Sequence, residues 1–163
     1  MVSIIPPFIA VVSALALGGV ASAAESGVNY SYLLFKNIDS TDPGAPTVIN
    51  KVAVKCPSAG SLISTASAQI TLGTLNGQPG EADVQYGISR NSLAAQINHH
   101  HLLRQYTDAS SGPAYGTASF QRIDTCAAGQ AVTMRFLVHR LSAATASAEK
   151  SSLVVMFVGD PKI

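Results

Sequence analysis

Residues 61–72 constrain the fold more than any other stretch. Leu62, Ser64, Ala66, Ala68, Ile70 and Leu72 occupy the even positions, and the odd ones include Ser61, Thr65, Ser67, Gln69 and Thr71. Small and apolar residues therefore recur every second position. That is the period of a β-strand, whose side chains alternate between two faces, and not the 3.6 of a helix. A strand apolar on one face needs a second layer to cover it, so this segment predicts a packed sheet.

The same reading extends along the chain. Val132, Met134, Phe136 and Val138 share one face of a strand over 131–141, with Thr133, Arg135 and His139 on the other, and Val84, Tyr86 and Ile88 share a face over 83–90. Residues 30–38, 48–54 and 117–124 are further strands with less regular alternation. Residues 153–158, apolar on both faces, belong at a sheet centre or against a partner. Turn residues separate these segments: Asp42-Pro43-Gly44 with Pro46, Pro57 to Gly60, Asn76-Gly77 with Pro79-Gly80, Ser110 to Pro113, and Cys126 to Gly129. Residues 92–106 admit two readings, a short helix capped by Asn91-Ser92 or a strand or irregular crossing, and the second is preferred. Short strands spaced by turns predict an all-β, antiparallel β-sandwich.

The first 23 residues stand apart. Ile4, Ile5, Phe8, Ile9, Val11, Val12, Leu15 and Leu17 form an apolar run that ends in Gly18-Gly19 and Ala21-Ser22-Ala23. A short apolar run closed by Ala-x-Ala has the pattern of a secretory signal peptide, which predicts a mature chain beginning near Ala24. No Lys or Arg precedes the run and Pro6-Pro7 interrupt it, so retention as a membrane anchor is the alternative. Cleavage leaves about 140 of the 163 residues, one domain with no membrane span over residues 24–163 and able to bury roughly two-thirds of its unfolded surface. Export, to a bacterial periplasm or the medium, places Cys56 and Cys126 in an oxidising compartment, where a lone pair becomes a disulfide. Each cysteine ends a segment that runs into a glycine turn, Lys51 to Gly60 echoing Arg122 to Gly129, so the bridge is expected to clip two corners of the sandwich.

Only 12% of the residues are charged and the net charge is +1. No basic patch for nucleic acid or anionic lipid can be drawn from so few charges. Ser, Thr, Gln and Asn must supply the surface instead.

The C-terminal third carries a resemblance. Ala127-Ala-Gly129-Gln-Ala-Val132-Thr, a long polar loop, and then Ser151-Ser-Leu-Val-Val-Met-Phe157-Val-Gly-Asp160 resemble the last two strands of C1q/TNF-like jelly rolls, and Ser58-Ala-Gly60-Ser-Leu-Ile-Ser is similar to an earlier glycine-led strand of that fold. The resemblance implies a jelly-roll-like sandwich and a homo-oligomer, a trimer built through the apolar final strand. The receptor-binding role of that family does not follow: Trp is absent and no collagen-like stretch precedes the domain.

Reactive chemistry is sparse. His99-His100-His101 is the one imidazole cluster; on a strand only His99 and His101 share a face, so a metal site there needs a ligand from His139, Asp108 or Asp124. His139, on the polar face of its strand, is expected at the surface. Ser147-Ala-Glu-Lys150 matches Ser-x-x-Lys without the motifs that accompany it in penicillin-recognising enzymes, and no Gly-x-Ser-x-Gly, P-loop or dinucleotide fingerprint occurs. The three glutamates suggest no paired acid and base. Asn29-Tyr30-Ser31 is a glycosylation sequon, of meaning only in a eukaryote. Tyr30, Tyr32, Tyr86, Tyr106 and Tyr115 are read as core edges, with a sugar-stacking face as the alternative. The expectation is an exported, non-catalytic binding or self-assembling module with no cofactor, whose partner is an unspecified protein or carbohydrate; a secreted metal- or small-ligand-binding module using His99 and His101 is the second reading.

Overall fold

A computed structural model describes residues 26–73, 80–93, 100–107 and 113–160. The segment with the apolar run, Asp108, the turn at Asn76 and His99 lie outside them. The described residues form eight strands: β1 (Ser26–Asn37), β2 (Thr47–Lys55), β3 (Gly60–Gly73), β4 (Gly80–Arg90), β5 (His100–Thr107), β6 (Ala114–Cys126), β7 (Ala131–Arg140) and β8 (Thr145–Gly159). No described residue is helical, and residues 92–106 contribute β5, the strand of the two readings offered for that stretch.

The strands make two antiparallel four-stranded sheets, ordered β1-β8-β3-β6 and β2-β7-β4-β5. Thus β1 pairs with β8, β2 with β7, β3 with β6 and β4 with β5. The chain behaves as one long hairpin whose arms pair along their length and roll into two layers, the strand order of a jelly roll. β8, apolar on both faces, lies between β1 and β3 at the centre of its sheet.

The core sits between the sheets and follows the alternation read from the sequence. Leu62, Ser64, Ala66, Ala68, Ile70 and Leu72 of β3 are all buried, facing Val132, Met134, Phe136 and Val138 of β7 and Val84, Tyr86 and Ile88 of β4. β8 differs from expectation. It starts at Thr145, so much of the predicted polar loop is strand. Lys150, at φ 47°, interrupts the ladder there: Ser152 pairs with Ser67 but Glu149 with Gln69. The extra residue shifts the phase, so Ala146 and Ala148 point inward before it and Ser151, Leu153, Val155 and Phe157 after it.

Where β4 runs past the start of β5, charge closes the flank of the sandwich. β5 begins opposite Gly87, and Arg122 of β6 reaches across to donate Nη1 to the Ile88 carbonyl at 3.1 Å. Its Nε and Nη2 bind both oxygens of Asp124 at 2.7 Å, while Arg90 donates to the Thr125 carbonyl at 2.7 Å.

Candidate functional site

Among the described residues, those singled out by their chemistry do not converge. Cys56 and Cys126 are joined in a disulfide that ties the end of β2 to the end of β6, two corners at one end of the sandwich as the glycine-turn echo predicts. The adjoining turns reinforce it, since Cys56 N donates to the Gln130 carbonyl at 3.0 Å and Gly129 N to the Cys56 carbonyl at 2.8 Å. His101 pairs with Tyr86 across the β4–β5 ladder. Its ring stacks on Tyr86 at 6.0 Å between centroids and meets Phe120 edge-on at 5.1 Å, so it bridges the two sheets. His139 points to the opposite side of the second sheet, across from Gln85, and Asp124 is taken up by Arg122. Among the described residues no three His, Cys, Asp or Glu side chains are grouped to hold a metal ion.

His139 corrects an expectation. It is 1% exposed, not a surface residue. Its strand neighbour Leu137 and, on β4, Asp83, Gly87 and Ser89 are buried with it on that outward side, so the polar face of β7 is covered there. Asp83 is held by Arg104, Nε to Oδ1 at 3.0 Å and Nη2 to Oδ2 at 3.2 Å. This bond, with the nearby negative charges of Asp83 and Glu81, raises the affinity of the guanidinium for its proton above the ordinary arginine value.

The tyrosines divide. Tyr86 is core; Tyr30, Tyr32, Tyr106 and Tyr115 are exposed. Tyr30 and Tyr32 lead to the feature that the sequence reading missed. On β1, Gly27, Asn29 and Ser31 pair with Phe157, Val155 and Leu153, the inward-facing residues of β8, whereas Val28, Tyr30 and Tyr32 pair with Met156, Val154 and Ser152 on the outward face. Val28, Tyr30 and Tyr32 face out, Tyr30 being 77% exposed, while the side of β1 turned towards the second sheet carries Gly27 and Asn29, both exposed, and the half-buried Ser31 and Leu33. The outward side of this inverted strand is the more apolar over residues 27–32.

The ladders carry this face across the whole sheet. Val28, Met156, Ile63 and Ile123 form an unbroken apolar row over β1, β8, β3 and β6. Beside it run Tyr30, Val154, Thr65 and Gln121, then Tyr32, Ser152, Ser67 and Ser119; Ser26, Val158, Ser61 and Thr125 flank it on the other side. None of these side chains is charged. Four strands about 4.8 Å apart and four rows about 6.8 Å apart make a patch of roughly 500 Å² in projection, half of whose side chains are apolar or aromatic and half Ser, Thr or Gln. That is the size of the largest surface patch of a typical monomer, which is often functional. The opposite face of the sandwich differs: Lys51, Arg135, Glu81 and Arg104 project from the second sheet. Depletion of charge together with aromatic and methionine side chains is the composition of an interface core.

No family model and no curated protein matches the chain. Among solved structures, the chain is similar to the Eiger TNF from S. frugiperda, at 12% identity and a TM-score of 0.40 over 86% of this chain and 96% of that one. It is also similar to the EclA C-terminal domain, described as a sugar-binding protein, at 12% identity and a TM-score of 0.35 over 84% of this chain and 82% of that one.

Proposed function

We propose that this chain is an exported, non-catalytic module that assembles with copies of itself through the outer face of the β1-β8-β3-β6 sheet. The observation that carries this reading is the inverted strand β1. A strand on a monomeric sandwich gains by turning Val28, Tyr30 and Tyr32 inward; holding them outward beside Met156, Ile63 and Ile123 is favourable when another surface removes them from water. The four rows from Ser26 to Tyr32 carry no charge, so that part of the face can be covered without a counter-charge, whereas Glu149, paired with Phe35 and Gln69, lies farther along the same face. The charged side chains of the second sheet, Lys51, Glu81 and Arg104, are left to solvent and to any protein or carbohydrate ligand.

Export rests on the N-terminal apolar run and on the disulfide; no helix among the described residues is long and apolar enough to cross a membrane. N-terminal sequencing of secreted protein is expected to begin at Ala24. Light scattering of the untagged mature chain, beside Tyr30→Lys and Ile123→Lys variants, tests assembly. Both side chains are exposed, Ile123 by 67%, so the variants should keep their fold and lose the oligomer. A wild-type chain that is monomeric at tens of micromolar would overturn the reading.

A further inference from the structure

The geometry points to β1 as an exchangeable strand: we infer that in the assembly residues 26–38 of one copy pair with β8 of a neighbouring copy. This rests on the self-assembly proposed above and adds how the copies are linked.

β1 is 12 residues long and, like the edge strand β5 over residues 101–106, holds no fully buried residue. It is held by its ladder to β8, from Ser26↔Val158 to Asn37↔Ser147, and by the half-buried Leu33, while its inward residues Gly27, Asn29 and Ser31 fill little space. Opening the arm breaks the β8 ladder and withdraws Leu33 and Ile38, few apolar contacts for a segment of this length. The same ladder re-forms in full on the β8 of another copy, so exchange gives back the bonds that opening breaks.

Three further features suit an exchanging arm. Ile38, directly after β1, is 1% exposed and donates its N–H to the Ala146 carbonyl at 2.9 Å, which gives the arm an anchor that the neighbour's core can receive. Residues 39–46 then join the arm to β2. They contain Pro43, Gly44 and Pro46; residues 40–45 are bonded locally, Gly44 N to Asp42 Oδ1 at 2.7 Å, Asp42 N to Ser40 Oγ at 3.1 Å and Ala45 N to the Asp42 carbonyl at 3.1 Å, while Arg140 of β7 donates to the Asp39 carbonyl at 3.0 Å and the Ser40 carbonyl at 2.8 Å. Eight extended residues reach about 26 Å, enough to pass from one copy to the next. Finally, Asn50 of β2 donates to the Ser31 carbonyl and hydroxyl, both at 3.4 Å. That bond ties β1 to β2 of the second sheet and can re-form with the β1 of a neighbouring copy.

Cysteine pairing at Tyr30 and Val154, which face each other on the outward side of the ladder, tests the exchange. Tyr30→Cys and Val154→Cys single variants, refolded together and oxidised, are expected to give a 30–154 link between different chains, identified by mass spectrometry of the linked peptides. The double variant is expected to run as covalent multimers on a non-reducing denaturing gel. A double variant linked only within its own chain, with no hetero-link between the mixed singles, overturns the exchange; free thiols at both positions overturn it too, because β1 then lies on no β8. Light scattering on the same samples separates this outcome from failure of the assembly itself: an oligomer with intrachain links refutes only the exchange, whereas a wild-type monomer refutes both.

Discussion

Replacement of Asp124 by alanine tests whether paired charge holds the flank of the sandwich beside β6. The Arg122 and Asp124 side chains are each 9% exposed and the Arg90 side chain, 3.9 Å from the same carboxylate, 20%. Solvent screens such groups weakly. Asp124→Ala leaves one deeply buried guanidinium, and a second nearly so, without their counter-charge, and breaking a buried pair in this way costs about 3–5 kcal/mol. Arg122 keeps its bond to the Ile88 carbonyl and Arg90 its bond to Thr125, which places the expected loss at the low end, about 3 kcal/mol. For a domain of this size that lowers Tm by about 6–12 °C.

The double variant Arg122→Met/Asp124→Leu separates the two possible origins of that cost. Should it come from an unpaired buried charge, removing both partners relieves it, and the double variant is more stable than Asp124→Ala although it lacks one more hydrogen bond. Urea unfolding at pH 7 with the disulfide intact measures all three chains, and an unchanged slope shows that the same surface is exposed on unfolding. A loss below 1 kcal/mol for Asp124→Ala, or a double variant less stable than that single one, refutes the reasoning.

Cys56→Ala/Cys126→Ala should lose about 4 kcal/mol, because the bridge closes a loop of 70 residues in the unfolded chain; chemical denaturation with and without reductant reads it. Asn91 holds φ 56° and binds Thr133 twice, N to O and Oδ1 to N, at 2.8 Å each. Asn91→Ala should therefore cost about 2 kcal/mol and Asn91→Gly, which keeps the left-handed backbone and loses only the side-chain bond, about 1 kcal/mol or less in the same assay. At Gly60 a Cβ would lie 2.3 Å from the Val158 carbonyl oxygen and 2.8 Å from the Gly159 Cα. Gly60→Ala must force β3 and β8 apart, and thermal melts should show a loss of at least 2 kcal/mol.

The strands that the sequence makes plain are those with one uninterrupted phase: β3, β7 and β4 alternate without a break, and each turns its predicted face inward. β8 hides half its length because the bulge at Lys150 changes parity. Ala146 and Ala148 do not align with Leu153 and Val155 on any single period, so the first half looks like loop. His139 shows another limit. Alternation says which residues share a face, but not what lies over that face, and the polar side of β7 proves to be covered at Leu137 and His139. The candidate interface is the least legible of all, because its central row joins Val28, Ile63, Ile123 and Met156, four positions brought into line only by the registers of three ladders.

The inversion of β1 is opposed by the hydrophobic effect, so something must hold its register. A slip of one residue along β8 would send Val28, Tyr30 and Tyr32 inward and Asn29 and Ser31 outward. Two features prevent it. Ile38 pins the end of the strand in the core. Asn50, 2% exposed, donates to Ser31 from beneath while its own Oδ1 stays buried without a hydrogen-bond partner. A buried acceptor left unpaired costs about 1–3 kcal/mol, and an apolar residue at position 50 would avoid that cost. The chain thus gives up stability in the single copy to keep an apolar strand facing outward. That expense is recovered when the face is covered, which is why the inverted strand argues for assembly more strongly than exposed area alone.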